Sequence, residues 1–287
     1  MKLLIDIGNT RVKWAILESG HLGESDNFIR SKTGIKASLN SHWKKLENIS
    51  DVFVSNVAGE TIAQQLEDWT KKHWEISPTF VKSESKKFGV TNAYDQPDQL
   101  GVDRWLALIA VRQHARQATC LIDCGTAITI DTVTKNGLHQ GGLILPGLDM
   151  IRDALTKKVD ISDTTTEISE FQTLATNTYS AIQAGTLYTI TASLNQIIND
   201  LRIEYDNKIR FIITGGSAET ILPLLPEKTA HYPDVVLKGL AYYARQGDKK
   251  PHTNKTIDIK QDEPPILDDT EQLTNAVESV ELPKQVG

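Results

Sequence analysis

In LLIDIGNT, residues 3–10, apolar and polar positions alternate with the period of two that marks a half-buried strand. Leu3, Ile5 and Ile7 fall on one face; Leu4 and Asp6 fall on the other. A GNT turn and the run VKWAIL complete a predicted hairpin. DVFVSNV at 51–57 and EISPTFV at 75–81 read as further strands. Between them Ile62, Leu66 and Trp69 recur at helical spacing, which predicts an amphipathic helix over AGETIAQQLEDWTKK. YDQPDQLGVD at 94–103 reads as a loop. RWLALIAVRQHARQ then places Trp105, Leu108, Ile109 and Arg112 at helical spacing, with Asp103 where an N-cap would stand.

The pattern then starts again. TCLIDCGTAITIDTV at 119–133 is strand-like, Gly137 marks a turn, and GGLILPG at 141–147 reads as a strand end and tight turn. Leu187, Ile190, Leu194, Ile197 and Ile198 predict a long helix over about 178–199. IRFIITGG at 209–216 is a buried strand ending in a glycine pair. DVVLKGLAYYARQ at 234–246 reads as a strand end or loop entering a last helix. Beyond it the character changes: 247–287 holds five Lys, nine Asp or Glu and no aromatic, so a mostly flexible acidic tail is expected, with a weak helix near 270–280.

Composition narrows the classes. Of 287 residues, 39% are apolar, enough for a sizeable core. The net charge of -6 and the lack of a basic run disfavour a nucleic-acid partner. No run of about 18 apolar residues suggests a membrane span. No secretory pattern is visible, so the cytoplasm is the expected compartment. The two cysteines, Cys120 and Cys124, would face one way along a strand about 13 Å apart, too far for a direct disulfide. They read as buried small hydrophobes in a reducing compartment.

The chemistry lies in an internal echo. IDIGNT around Asp6 is repeated by IDCGT around Asp123, 117 residues further on. In both, an apolar strand delivers Asp-x-Gly and then an amide or hydroxyl residue. Two similar lobes, 1–117 and 118–246, would account for this. An aspartate at a strand end is held rigidly toward a cleft, and the backbone N–H groups of the turn can cradle an anion. Asn9, Thr10 and Thr126 add polar side chains, and Lys13 adds a positive charge. Carboxylates beside phosphate oxygens need a cation between them, and Mg²⁺ takes such ligands. Taken singly, Asp6 and Asp123 also suit turn caps, Lys13 a solvated strand position, Thr126 a strand former, and Asp131 a turn-side carboxylate. There is no GxxxxGK[ST], no GxGxxG and no kinase HRD–DFG set. The Gly215–Gly216 pair suits close approach to a bulky ligand such as a nucleoside.

Over about residues 2–245 the chain resembles the type III pantothenate kinases, members of the acetate-and-sugar-kinase/Hsp70/actin superfamily. The resemblance is carried by D6-I7-G8-N9-T10-R11-V12-K13, G101-V102-D103-R104, the run D123-C124-G125-T126-A127-I128-T129-I130-D131, and G141-G142-L143-I144-L145-P146-G147. N177-T178 before a helix, T214-G215-G216 and LKGL at 237–240 add to it. It implies an α/β fold of two ribonuclease-H-like lobes with mixed sheets flanked by helices, the actin/hexokinase-like duplication. It also implies transfer of the ATP γ-phosphoryl group to the primary hydroxyl of pantothenate, with Mg²⁺ and a monovalent cation, K⁺ or ammonium. By resemblance Asp103 is the base, and Asp6, Gly8, Asn9, Thr10, Lys13 and Thr126 embrace the ATP phosphates, with Asp6 reaching Mg²⁺ through ATP. Asp123 contributes to the monovalent cation site. Tyr94, Gly101, Val102, Asp103, Arg104 and Thr178 match positions that hold pantothenate, in a homodimer whose subunits meet at that site. Two departures are ALTKKVDISD, where the family has Leu-Pro, and Ala175, where it commonly has Gly. The alternatives are a non-catalytic ATP-binding regulatory protein and a kinase for another small hydroxylated metabolite.

Overall fold

β1 (Lys2–Ile7) runs antiparallel to β2 (Arg11–Glu18), and β2 in turn pairs with β3 (His21–Leu22) and β4 (Asp26–Ile29). After α1 (Lys36–Trp43), β5 (Asp51–Asn56) returns parallel to β1. α2 (Glu60–Trp74) then leads to β6 (Thr79–Phe80), parallel to β5. This first sheet has the order β3-β2-β1-β5-β6. A small ribbon, β7 (Lys86–Lys87) with β8 (Val90–Thr91), precedes α3 (Val102–His114).

The second half repeats the plan. β9 (Ala118–Cys124), β10 (Ala127–Val133) and β11 (His139–Pro146) form an antiparallel meander. α4 (Leu148–Val159) and α5 (Thr178–Glu204) come next, then β12 (Ile209–Thr214), parallel to β9. α6 (Ala218–Ile221) and β13 (Thr229–His231), parallel to β12, precede α7 (Val235–Gln246). The order β11-β10-β9-β12-β13 matches the five-strand path of the first sheet, which has β4 in addition. This is the duplicated α/β architecture of mixed sheets flanked by helices that the sequence implied. The structure is a computed structural model that describes residues 1–31, 34–159, 174–226 and 228–246. The acidic 247–287 stretch, the helix expected at 270–280 and the end of ALTKKVDISD lie outside the described residues.

The two-residue period of each first strand decides which core it feeds. Leu3, Ile5 and Ile7 of β1 pack with α1 and α2 residues such as Leu39, Trp43 and Leu66. Leu4, on the opposite face, joins a different cluster with Trp105, Leu108 and Leu240. β9 does the same: Cys120, Ile122 and Cys124 join Leu194 and Ile198, whereas Leu121 joins Trp105 and Leu240. Both cysteines are buried and free, as expected. Asp6 shares the face of Leu4 and Asp123 the face of Leu121, so both carboxylates turn toward the side on which α3 and α7 pack. Burying each large apolar side chain here is worth roughly 1.5–3 kcal/mol.

α3 touches β5 of the first sheet, β9 and β10 of the second, and α7. Every residue from Arg104 to Val111 is therefore buried, on all sides of the helix. Two local expectations change. Asp103 is not the N-cap: Gly101 holds that position, and Asp103 is the second helical residue, its Oδ1 accepting from the Arg104 backbone N–H at 2.7 Å. The strand expected over 75–81 contracts to Thr79–Phe80, just after Pro78, which has no N–H to give a ladder. At 234–246 the loop alternative holds: no strand precedes the last helix, and α7 begins at Val235.

Candidate active site

The two Asp-x-Gly turns meet. The Gly8 N–H donates to the Arg11 carbonyl at 3.0 Å, closing a four-residue turn, and the Gly125 N–H donates to that of Ala127 at 3.1 Å, closing a three-residue one. Across the gap between them the Thr10 and Thr126 hydroxyls are 2.8 Å apart. Asn9, Thr10, Gly125 and Thr126 are exposed, as residues that receive a ligand must be. The Asn9 carbonyl is anchored by the Arg30 guanidinium at 3.0 and 2.6 Å.

Behind the turns lie three coupled carboxylates. None of Asp6, Asp103 and Asp123 forms a salt bridge among the described residues. Asp6 Oδ1 is closed to solvent and has no hydrogen-bond partner. Burial, then the like charge of Asp103, pushes the Asp6 carboxyl up to about 7; the Ser55 hydroxyl opposes the rise, Asp123 adds to it and Lys13 again opposes it. Burial and Asp103 likewise raise Asp123 to about 6, partly offset by Lys13. Asp103 is itself raised by burial, against the Arg104 backbone N–H and guanidinium. Gly215 holds this site open. At φ 94° it approaches so near that a Cβ would sit 2.5 Å from Asp123 Oδ1 and 2.6 Å from the Cys124 nitrogen. A site that concentrates negative charge around an orphaned carboxylate oxygen fits a bound cation. Among the described residues no group of three His, Cys, Asp or Glu side chains could hold a metal alone. That donor set suits Mg²⁺ carried by a nucleotide, whose phosphates and waters complete the shell.

Beside these acids stands a fourth with the opposite character. Asp131 is buried in mid-strand, not at a turn, and it accepts two hydrogen bonds from Arg104, from Nε and Nη2, both at 2.7 Å. His139 Nε2 lies 2.9 Å from its Oδ1. Burial alone would raise this carboxyl, but the His139 and Arg104 contacts hold it below its ordinary value. Arg104 is raised, burial being outweighed by Asp131 and Tyr94. The remaining guanidinium nitrogen, Nη1, donates to the Tyr94 hydroxyl at 3.1 Å, and the Tyr94 ring stacks on His139 at 6.1 Å. Arg104, expected at the pantothenate site, is thus held by a buried acid, and only its Nη1 edge is left toward a ligand.

The other expected residues divide. Lys13 is the register partner of Asp6 on β2, but its Nζ is ion-paired with Asp234 Oδ1 at 2.9 Å. Ser25 donates to the other Asp234 oxygen at 3.0 Å. Gly101 and Val102 begin α3 next to Asp103, and a Cβ on Gly101 would meet Asp103 Oδ1 at 2.6 Å. Thr178 is exposed at the first position of α5, behind the Asn177 N-cap, whose side chain accepts from the Ser180 N–H. Among the described residues no hydrogen bond ties it to Asp103 or Tyr94. His139 and Asp234 were not picked out from sequence. A lone acid inside ITIDTV was the available signal for the first, since a buried carboxylate needs a partner. No local pattern foretold the second.

Two equivalent sheets, with paired Asp-x-Gly turns facing one another between them, define a protein of the actin/hexokinase-like duplicated class. Comparison with known proteins narrows this. A family model for type III pantothenate kinase matches residues 2–200. The chain is 45% identical over 254 residues to the type III pantothenate kinase of Nitrosococcus oceani, covering 87% of this chain and 96% of that one. It is 33% identical over 243 residues to that of Alcanivorax borkumensis, covering 84% and 97%. Among solved structures, a Baf family protein from Campylobacter jejuni shares the fold, with a TM-score of 0.54 at 19% identity over 86% of this chain and 98% of that one. The chain belongs to the type III pantothenate kinase family, enzymes that phosphorylate pantothenate with ATP. No helix among the described residues is long and apolar enough to cross a membrane.

Proposed function

We propose that the cleft between the turns transfers the γ-phosphoryl group of ATP to the primary hydroxyl of pantothenate, with Asp103 as the base. The observation that carries this is the convergence of Asp6, Asp103 and Asp123, all raised by burial and none in a salt bridge, behind two exposed turns. In this reading the N–H groups of the Gly8–Thr10 turn and the hydroxyls of Thr10 and Thr126 hold phosphate oxygens. Asp6 faces the Mg²⁺ that accompanies ATP; that ion neutralises phosphate charge. Asp123 supports a monovalent cation, K⁺ or ammonium. Lys13 contributes positive potential from its pair with Asp234.

Asp103 orients the hydroxyl and takes its proton late, because phosphoryl transfer has a loose transition state. Its raised pKa is no obstacle, since a carboxyl moved toward neutrality is a better proton acceptor. Alignment of the two substrates supplies most of the rate. Tyr94, the Gly101–Arg104 segment and, from a second subunit, Thr178 form the pantothenate pocket. Pairing of two copies is supported by the apolar surface of the second half. Ile144 on the edge strand β11 is 64% exposed, Met150 on α4 47% and Tyr188 on α5 59%. The lobes 1–117 and 118–246 are the halves that close on the substrates.

ADP release tests the proposal. With ATP, Mg²⁺ and K⁺, release should require pantothenate. ATP binding without turnover would favour a regulatory protein, and turnover only with another acceptor would favour a different kinase.

A further inference from the structure

The structure holds a second cavity that the phosphoryl-transfer reading does not use. It has a volume of about 660 Å³ and opens where β9 and β12 begin and β10 ends. Asp123 sits near the other end of β9, five residues from Ala118 in the cavity wall, which is about 16 Å along a strand. The wall carries four cations, Arg116, Lys135, Lys208 and Arg210, and no carboxylate. Among the described residues none of the four is in a salt bridge or a side-chain hydrogen bond. Glu204 and Asp206 flank Tyr205 in the chain but do not line the cavity.

Arg210 is the most informative of the four. It is half-buried on β12, and burial lowers its pKa, with only Tyr232 opposing. Burial, then the charges of Arg210 and Lys238, lowers the pKa of His114 nearby. Arg116 acts in the same sense on Arg112. In a chain of net charge -6, this corner gathers unneutralised positive charge around a concavity. Leu138, 46% exposed, and the half-buried Tyr205 give the same wall an apolar surface. A volume within roughly 300–1,000 Å³, mostly apolar with a few convergent charges, is the usual form of a small-molecule site. Guanidinium groups match phosphate oxygens bidentately, and ammonium groups add point charge.

We propose that this cavity binds a small organic phosphate, with the phosphate held by Arg210, Arg116 and Lys208 and a flat apolar body lying over Leu138 and Tyr205. The site is separate from the ATP cleft and does not depend on the reading of that cleft. The test is a fluorescence titration of the full-length chain with 1-naphthyl phosphate. 1-Naphthol serves as the uncharged control. Saturable binding of the phosphate, absent for the naphthol, is expected. Arg210→Ala should weaken it at least about tenfold, the size expected for a lost charge-assisted contact. The exposed pair Arg116→Ala and Lys208→Ala should weaken it similarly, while pantothenate turnover stays within about twofold of the parent. Should Arg210→Ala fail to fold by circular dichroism, the exposed pair decides alone. Affinity unchanged in the folded variants, or no saturation below about 10 mM, would each overturn the proposal.

Discussion

Asp131 and Asp6 are both aspartates on inner strands, the first buried and the second partly exposed, and their surroundings treat them in opposite ways. Asp131 accepts two hydrogen bonds from Arg104 and lies against His139, which together hold it ionised. Asp6 keeps an oxygen without a partner, and burial with the charge of Asp103 drives it up to about 7. A buried charge is expensive unless it is paired. The fold therefore stabilises one carboxylate with its own residues and leaves the others to be satisfied from outside. The contrast in partners runs alongside one in exposure: Asp131 is 2% exposed, whereas Asp6, Asp103 and Asp123 are partly exposed.

The comparison is broken most severely at the paired acid. Asp131→Ala leaves the Arg104 guanidinium buried without its partner and should cost about 3–5 kcal/mol of stability, measured by denaturant unfolding. Among the unpaired acids the loss should fall on rate instead. Asp103→Asn should lower turnover at least ~100-fold with unfolding stability little changed. Near-normal turnover would remove Asp103 from the role of base.

Stability against pH sharpens the contrast, because the two acids carry opposite signs. The folded pKa of Asp131 lies below its ordinary value, so its stabilising effect is present above the unfolded carboxylate range and is lost as pH falls. For Asp6 the native state keeps a proton that the unfolded chain has released. Its contribution is most favourable below 3.8 and declines as pH rises toward about 7. Asp6→Asn should remove that decline, giving a melting temperature that varies less between these limits, and it should abolish stabilisation by Mg–ATP.

Exchange of K⁺ for Na⁺ tests Asp123 in the same way: activity should vanish, and full activity in Na⁺ would count against a monovalent site there. The smallest effect belongs to the exposed turn. Thr10→Val removes one hydroxyl from the pair with Thr126 and should raise the KM for ATP by roughly three- to tenfold, the value of one hydrogen bond.

The unpaired acids were legible in the sequence, whereas the paired one was not. IDIGNT and IDCGT repeat over a few consecutive residues, and a strand's period of two then fixes which way each aspartate faces. The duplication of the sheets follows from the same repeat. The pairing of Asp131 with Arg104 joins residues 27 apart, and that of Lys13 with Asp234 joins residues 221 apart. Such contacts depend on how α3 and α7 seat between the sheets, and no local periodicity records that. The burial of α3 on every side was similarly hidden, since its apolar run RWLALIAV reads as a one-faced helix until two sheets are known to flank it. The cap of α3 was misplaced by two residues because Gly101 offers no side-chain signal, whereas Asp103 does.

The most direct measurement is a carboxyl-carbon NMR titration of the aspartates, assigned through Asp6→Asn, Asp123→Asn and Asp131→Asn and run with and without Mg–ATP. Asp6 should titrate at about 7, Asp123 at about 6 and Asp131 below 3.8; Mg–ATP should draw Asp6 downward and leave Asp131 unmoved. All three titrating together in the ordinary carboxylate range, or a response to Mg–ATP at Asp131 and not at Asp6, would contradict the division between paired and waiting carboxylates.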